Sequence, residues 1–349
     1  MQPGCASRRS PRPSPRRPPR LKGLTKRNDS FSWVESEGVM SVVVVGSVAF
    51  DSIKTPTGSI DETLGGSAVH FSLAASLFGP VRLVGVVGSD FPAEHRDLLS
   101  SRGIDLEGLE TVEGGETFRW SGEYHRDMDQ RDTLSVELNV FEDFEPNIPR
   151  SYRGGSYLFL GNGSPVTQAS VLDQMDNAPL VVVDTMDLWI QTARSELESL
   201  LGRVDLLVLN EQEASLLSDE KNVVKAGRII QKMGPRFVVI KQGQHGSLIS
   251  HRGGEVSLPA LPLAEVEDPT GAGDSFAGGM LGALSRASSS DLDSLKVSVA
   301  WGTVTASFCC QGFGVAGILS ADRELLQERF EQYRKMIDLG TASIPQLAP

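Results

Sequence analysis

Short β-branched runs recur along this chain, and helical stretches separate most of them. Val42-Val43-Val44-Val45-Gly46 is apolar without interruption. A strand wetted on one face alternates apolar with polar, so an unbroken run suits a strand buried on both faces of a parallel sheet. Similar runs stand at 82–87, 157–160, 180–184, 205–210 and 237–241. Helical stretches read at 68–77, 94–101, 167–175, 193–201, 223–233 and 292–310. Strands alternating with helices build βαβ crossovers, so the chain predicts an α/β fold with a doubly wound, mostly parallel sheet between two helical layers. Two segments break the rhythm, about 52–63 and 116–140. Both read as antiparallel strands, with Phe118, Trp120, Gly122 and Tyr124 on one side of the second and Arg119, Ser121 and Glu123 on the other. A small sheet beside a large α/β body makes a natural lid, a device that excludes water from a reaction.

Composition bounds the rest. Of 349 residues, the first 40 carry nine Lys or Arg against three acidic residues, and the whole chain has a net charge of −12. The remainder therefore carries −18, which argues against a nucleic-acid partner. Residues 1–40 are Pro- and Arg-rich and read as a disordered basic extension; an upstream start, with the functional chain beginning at Met40, is the other reading. The structured domain is expected over 41–335 and a tail over 336–349. Cys5, Cys309 and Cys310 form neither a disulfide framework nor a metal motif. No run approaches ~18 uninterrupted apolar residues, so no membrane span is expected. A reducing, cytoplasmic setting follows.

The chemistry concentrates in Asp268-Pro269-Thr270-Gly271-Ala272-Gly273-Asp274, followed by a small-residue apolar run. Small residues at a helix start bare the backbone N–H groups, and the dipole there favours an anion. A carboxylate beside a bound phosphate is repulsive unless it accepts a proton from an attacking hydroxyl. That combination is phosphoryl transfer. The plain alternative is a turn in which Asp274 merely complements the helix dipole. Neither a P-loop nor a dinucleotide Gly-x-Gly-x-x-Gly occurs, and the first strand ends instead in Gly46-Ser47-Val48-Ala49-Phe50-Asp51.

The run from Asp268 to Gly279 closely resembles the signature of the PfkB, or ribokinase-like, carbohydrate kinases, and other features follow that family in order from about residue 41 to 333. The resemblance implies a ribokinase-like three-layer αβα fold with a β-sheet lid, and an ATP-dependent kinase acting on a primary hydroxyl of a sugar or sugar derivative. It implies Asp274 as base and the Gly271, Ala272 and Gly273 amides as anion hole. Asn210-Glu211-Gln212-Glu213 resembles the family's Asn-x-x-Glu, with Asn210 toward nucleotide phosphate and Glu213 organising Mg²⁺; the same residues also read as a helix capping box. Lys241, Gly243 and Gly246 resemble the family's strand and loop beside the nucleotide, Lys241 either meeting a phosphate or standing in a solvated turn. Thr270 and Gly312 complete the nucleotide side, where Asp268 and the 311–314 turn match a loop for a monovalent cation such as K⁺. On the acceptor side the resemblance implies Asp51, Gly65, Gly66 and His70. Ala49 and His70 stand where ribokinases carry Asn, and both replacements point away from ribose itself. Arg126 and Arg131 on the lid read as a solvated face, or as holders of an acidic acceptor. A nucleoside is the alternative acceptor, with Phe50, Phe118 or Trp120 stacking its base; a non-catalytic sugar or nucleotide sensor is the rival of another class. Open lid edges imply a homodimer paired through the lid.

Overall fold

The computed structural model describes residues 39–128 and 130–338. Most of the expected extension over 1–40 and of the tail over 336–349 lies outside those residues. The strands are β1 Ser41–Val45, β2 Ala49–Thr55, β3 Gly58–Gly65, β4 Val81–Gly88, β5 Ile104–Val112, β6 Phe118–Tyr124, β7 Arg131–Glu137 and β8 Ser156–Leu160. They continue as β9 Val181–Asp184, β10 Leu206–Asn210, β11 Phe237–Lys241, β12 Ser247–His251 and β13 Gly254–Leu258. The helices are α1 Ser67–Ala75, α2 Ala93–Ser101, α3 Pro165–Gln174, α4 Asp187–Thr192, α5 Arg194–Leu201 and α6 Glu211–Ser218. α7 Val223–Gln231, α8 Ala272–Leu284, α9 Leu292–Cys309, α10 Ala316–Leu319 and α11 Arg323–Ile337 complete the set.

Nine strands form the main sheet in the order β13-β12-β11-β10-β9-β8-β1-β4-β5. All neighbours pair in parallel except at β12, which runs against both β11 and β13. β1 shows why the sheet lies between two layers. Val42 and Val44 join one hydrophobic cluster with Phe71 and Met280, while Val43 and Val45 join another with Leu158 and Leu197. Alternate side chains leave a strand on opposite faces, so both faces of β1 are dry, and each buried valine contributes about 1.5–3 kcal/mol.

The unforeseen strands, β5, β12 and β13, lie at or next to the sheet's two edges. β5 and β13 mix exposed polar with buried residues, and a period-2 pattern broken by water-facing positions leaves no continuous apolar run. Residues 187–192 form a separate short helix before α5.

The chain winds outward from β1 through β4 to β5, then returns on the other side of β1 as β8. At such a reversal the crossovers diverge and leave a crevice at the carboxyl ends of the strands. Only Gly46, Ser47 and Val48 separate β1 from β2, the first strand of a second sheet ordered β3-β2-β6-β7. The lid therefore rises directly from that crevice. Its first strand pair, 49–65, runs past the expected 52–63 at both ends, and its second, 118–137, lies within the expected 116–140.

Candidate active site

α8 begins where the sequence places its anion site. Gly271 is its N-cap at φ 73°, a left-handed turn that glycine adopts without strain. The Ala272 N–H donates to the Pro269 carbonyl at 3.1 Å, which corrects the expectation of three free amides: this one closes the turn instead. Among the described residues no backbone acceptor takes the Gly271 or Gly273 N–H, so those two remain open for an anion. Asp274 lies in the same first turn, half-buried. Burial raises its pKa to about 6 and the nearby Asp184 carboxylate adds to the rise, while Lys241 and Arg131 oppose it.

Behind the turn stands a charged group that only the assembled sheet brings together. Lys241 ends β11 and Asp184 ends β9, with Nζ 3.7 Å from Asp184 Oδ1. A Cβ on Gly273 would stand 3.1 Å from Nζ, so the ammonium lies against the anion turn. Burial alone would lower the Lys241 pKa, but the carboxylates of Asp184, Glu213 and Asp274 outweigh it and the net shift is upward. The one legible sign was a charged residue ending each of two otherwise apolar runs. Half-buried and turned to Asp184 and the glycine turn, Lys241 does not stand in a solvated turn.

Asn210 and Glu213 realise the capping box in full: Asn210 Oδ1 accepts from the Glu213 N–H at 2.8 Å, and Glu213 Oε2 accepts from the Asn210 N–H at 2.7 Å. Burial, then Asp184, push Glu213 up to about 7 against the pull of Lys241. The cap fixes the carboxylate near Asp184, whose buried Oδ1 has no hydrogen-bond partner. No group of three metal-ligating side chains occurs among the described residues. Such a donor set fits a Mg²⁺ that keeps most of its waters and meets carboxylates through them.

Asp51 lies on β2 in register with Trp120 of β6 and Thr63 of β3, and is 5% exposed. Its Oδ2 accepts from the Gly66 N–H at 3.4 Å. A Cβ on Gly65 would overlap that carboxylate, and one on Gly66, at φ 93°, would overlap the Ser47 carbonyl. The Gly-Gly pair is thus required by the protein before any ligand arrives. Burial raises Asp51 to about 7; Gly66 opposes this, Asp268 and Asp274 add to it, and Arg131 lowers it.

His70 sits differently from the expectation. It is 1% exposed on α1, and its ring would overlap a Cβ on Gly271. Burial lowers its pKa to about 4, so it is a neutral prop beneath the glycine turn rather than a residue open to the acceptor. Cys309 supports the same turn, its thiol 3.2 Å from the Thr270 carbonyl.

Thr270 donates its N–H to Asp268 Oδ1 at 2.8 Å, and its hydroxyl meets the Tyr124 hydroxyl of β6 at 3.2 Å. The second oxygen of the fully buried Asp268 accepts from the Gly314 N–H at 2.8 Å. Asp268 thus joins the glycine turn to the 311–314 loop. Gly312 packs against Gly317 of α10, and Gly246 lies under the Leu258 carbonyl; both glycines are demanded by chain crossing. Gly243, at φ 53°, opens the short turn that Gly246 closes.

The profile of the pfkB family carbohydrate kinases matches residues 40–321. A cytidine kinase of Thermococcus kodakarensis is 32% identical over 255 residues, 71% of this chain and 90% of that protein. A nucleoside kinase of Methanothermobacter thermautotrophicus is 27% identical, over 78% and 90% of the two chains. Among solved structures, a Methanocaldococcus jannaschii nucleoside kinase of the ribokinase family superimposes with a TM-score of 0.68 at 21% identity, over 84% of this chain and 99% of that one. A Burkholderia thailandensis nucleoside kinase in complex with inosine gives 0.69 at 19% identity, over 83% and 97%. With the family profile spanning both sheets and the glycine turn at the start of α8, the chain belongs to the pfkB family of carbohydrate kinases.

Proposed function

We propose that this protein is an ATP-dependent kinase that transfers the γ-phosphoryl group to a primary hydroxyl of a sugar or sugar derivative. The observation that carries the reading is Asp274 in the first turn of α8, beside two open glycine amides and close enough to the buried Asp51 for each charge to be felt by the other. Asp51 accepts hydrogen bonds from acceptor hydroxyls and orients the reactive one. Asp274 takes that hydroxyl's proton as its oxygen bonds to phosphorus and the bond to the ADP oxygen breaks. The Gly271 and Gly273 amides hold charge on the moving group, and Lys241 lies beside them. Glu213 and Asp184 are the carboxylates that would hold a Mg²⁺, which would supply neutralisation of the triphosphate charge.

A nucleoside is the acceptor to test first. The cytidine kinase and nucleoside kinase relatives support it, and so does Trp120, in register with Asp51 and half-buried. ADP release measured with cytidine, other nucleosides, ribose, fructose and acidic sugars checks the reading. Asp274→Asn is expected to lower kcat by about 10²–10⁴ while ADP still raises the melting temperature. A kcat within a few-fold of the parent would reject Asp274 as base; a parent that binds ATP but phosphorylates nothing would favour the sensor. The fully exposed β7, at the edge of the lid, supports a homodimer paired there, which sedimentation checks.

A further inference from the structure

We propose that Tyr124 of the lid is a positioning residue for phosphoryl transfer, holding the glycine turn through the hydroxyl of Thr270. The inference rests on the kinase reading above and names what joins its acceptor side to its phosphate side.

Every polar atom of Thr270, the residue before the Gly271 cap, is engaged. Its N–H donates to Asp268 Oδ1 at 2.8 Å, its carbonyl accepts from the Cys309 thiol at 3.2 Å, and its hydroxyl donates to the Tyr124 hydroxyl at 3.2 Å. Asp268 and Cys309 belong to the body that carries the turn, as does the His70 ring beneath Gly271. Tyr124 is the hold that comes from the lid. Tyr124 and Thr270 are each 7% exposed, so water does not replace a lost partner there. The neighbouring tie, from Thr57 to the Glu267 carbonyl, is exposed, and water can replace it.

The strand that carries Tyr124 also serves the acceptor. Trp120, four residues earlier on β6, stands in register with Asp51 of β2. Alternate side chains of a strand share a face, so Trp120 and Tyr124 look out from the same side of the lid. One strand thus runs from the acceptor carboxylate to the residue that precedes the open amides of Gly271 and Gly273. An acceptor that fixes β6 over Asp51 fixes the Thr270 hydroxyl as well, so the amides gain their aim once the acceptor is in place. Misplacing such donors by about 1 Å costs on the order of 10² in rate. Two ligands coupled through one contact must also tighten each other's binding by the same factor.

Tyr124→Phe, Thr270→Val, the double variant and the control Thr57→Val test this in the full-length chain, with cytidine or whichever acceptor of the panel is turned over fastest. Tyr124→Phe should lower kcat by about 10–100-fold. ADP alone should bind it as it binds the parent, while the factor by which the acceptor tightens ADP binding falls toward unity. A plain loss of stability would not move that factor. Thr270→Val should give the same losses, and the double variant no more than either single, since both delete one bond. Thr57→Val should match the parent. A kcat for Tyr124→Phe within about three-fold of an active parent would overturn the role and leave the kinase reading standing. So would additive losses in the double variant, an equal loss in Thr57→Val, or an active parent whose ADP affinity the acceptor leaves unchanged. A fall in kcat with the coupling factor intact would also overturn it, making the phenol a contact of the substrate itself. A parent that turns over no acceptor would overturn the kinase reading and the role with it.

Discussion

Lys241 holds three carboxylates that would otherwise repel one another across the crevice: Asp184, Glu213 and Asp274 each feel its charge. Lys241→Met would leave Asp184 buried without its cation, a change expected to cost about 3–5 kcal/mol. Adding Asp184→Asn should restore much of that stability, and a denaturant series on both variants measures the difference. The titration of Asp274 and Asp51 has a defined sign. Both pKa values are raised in the folded state, to about 6 and about 7, from 3.8. The folded protein therefore holds protons that the unfolded chain has released, so this contribution is full below pH 4 and is lost as pH rises toward 7. Activity runs the opposite way: kcat should climb through about pH 6 as Asp274 loses its proton, and Asp274→Asn should raise the melting temperature at pH 8. A pH profile that is flat between 5 and 8 would contradict both. Gly65 gives a separate check on the acceptor side. Because a side chain there would displace the Asp51 carboxylate, Gly65→Ala should raise acceptor KM more than ten-fold while ADP binding stays unchanged.

At the scale of elements, legibility followed burial. β1, β8, β10 and β11 are dry on both faces, and their unbroken apolar runs announced them. β5 and β13 lie at the sheet edges, where water-facing side chains erase that signal. The start of α8 was legible because its left-handed turn against the His70 ring demands glycine at 271. His70 was misplaced because a spacing along α1 does not say which neighbour a helix face meets; here it meets Gly271 across an interhelical contact. Asp184 and Lys241 lie on strands separated by β10, and only the completed sheet order brings their ends together. The Asn210–Glu213 pair serves as both cap and site, so Asn210→Ala should cost about 1 kcal/mol of stability and also loosen Glu213. Comparing its melting temperature with its Mg²⁺ requirement separates the two effects.

Across the whole molecule, the lid and the nucleotide side meet through few ties. Thr57 donates to the Glu267 carbonyl at 3.2 Å, Tyr124 meets Thr270, and Phe313 packs on Gly58. Two of these ties land on residues flanking Asp268, whose carboxylate binds the catalytic turn and the 314 loop at once. The four lid strands can therefore exchange side chains over most of their area without disturbing the machinery that holds the nucleotide. A lineage built this way is free to change what it phosphorylates by rewriting one small sheet. The constraints that remain are few: Asp51 with its Gly65-Gly66 pair, a residue at 124 able to reach 270, side chains at 58 and 63 that leave room for the 313–314 turn, and a hairpin tip that still touches 267.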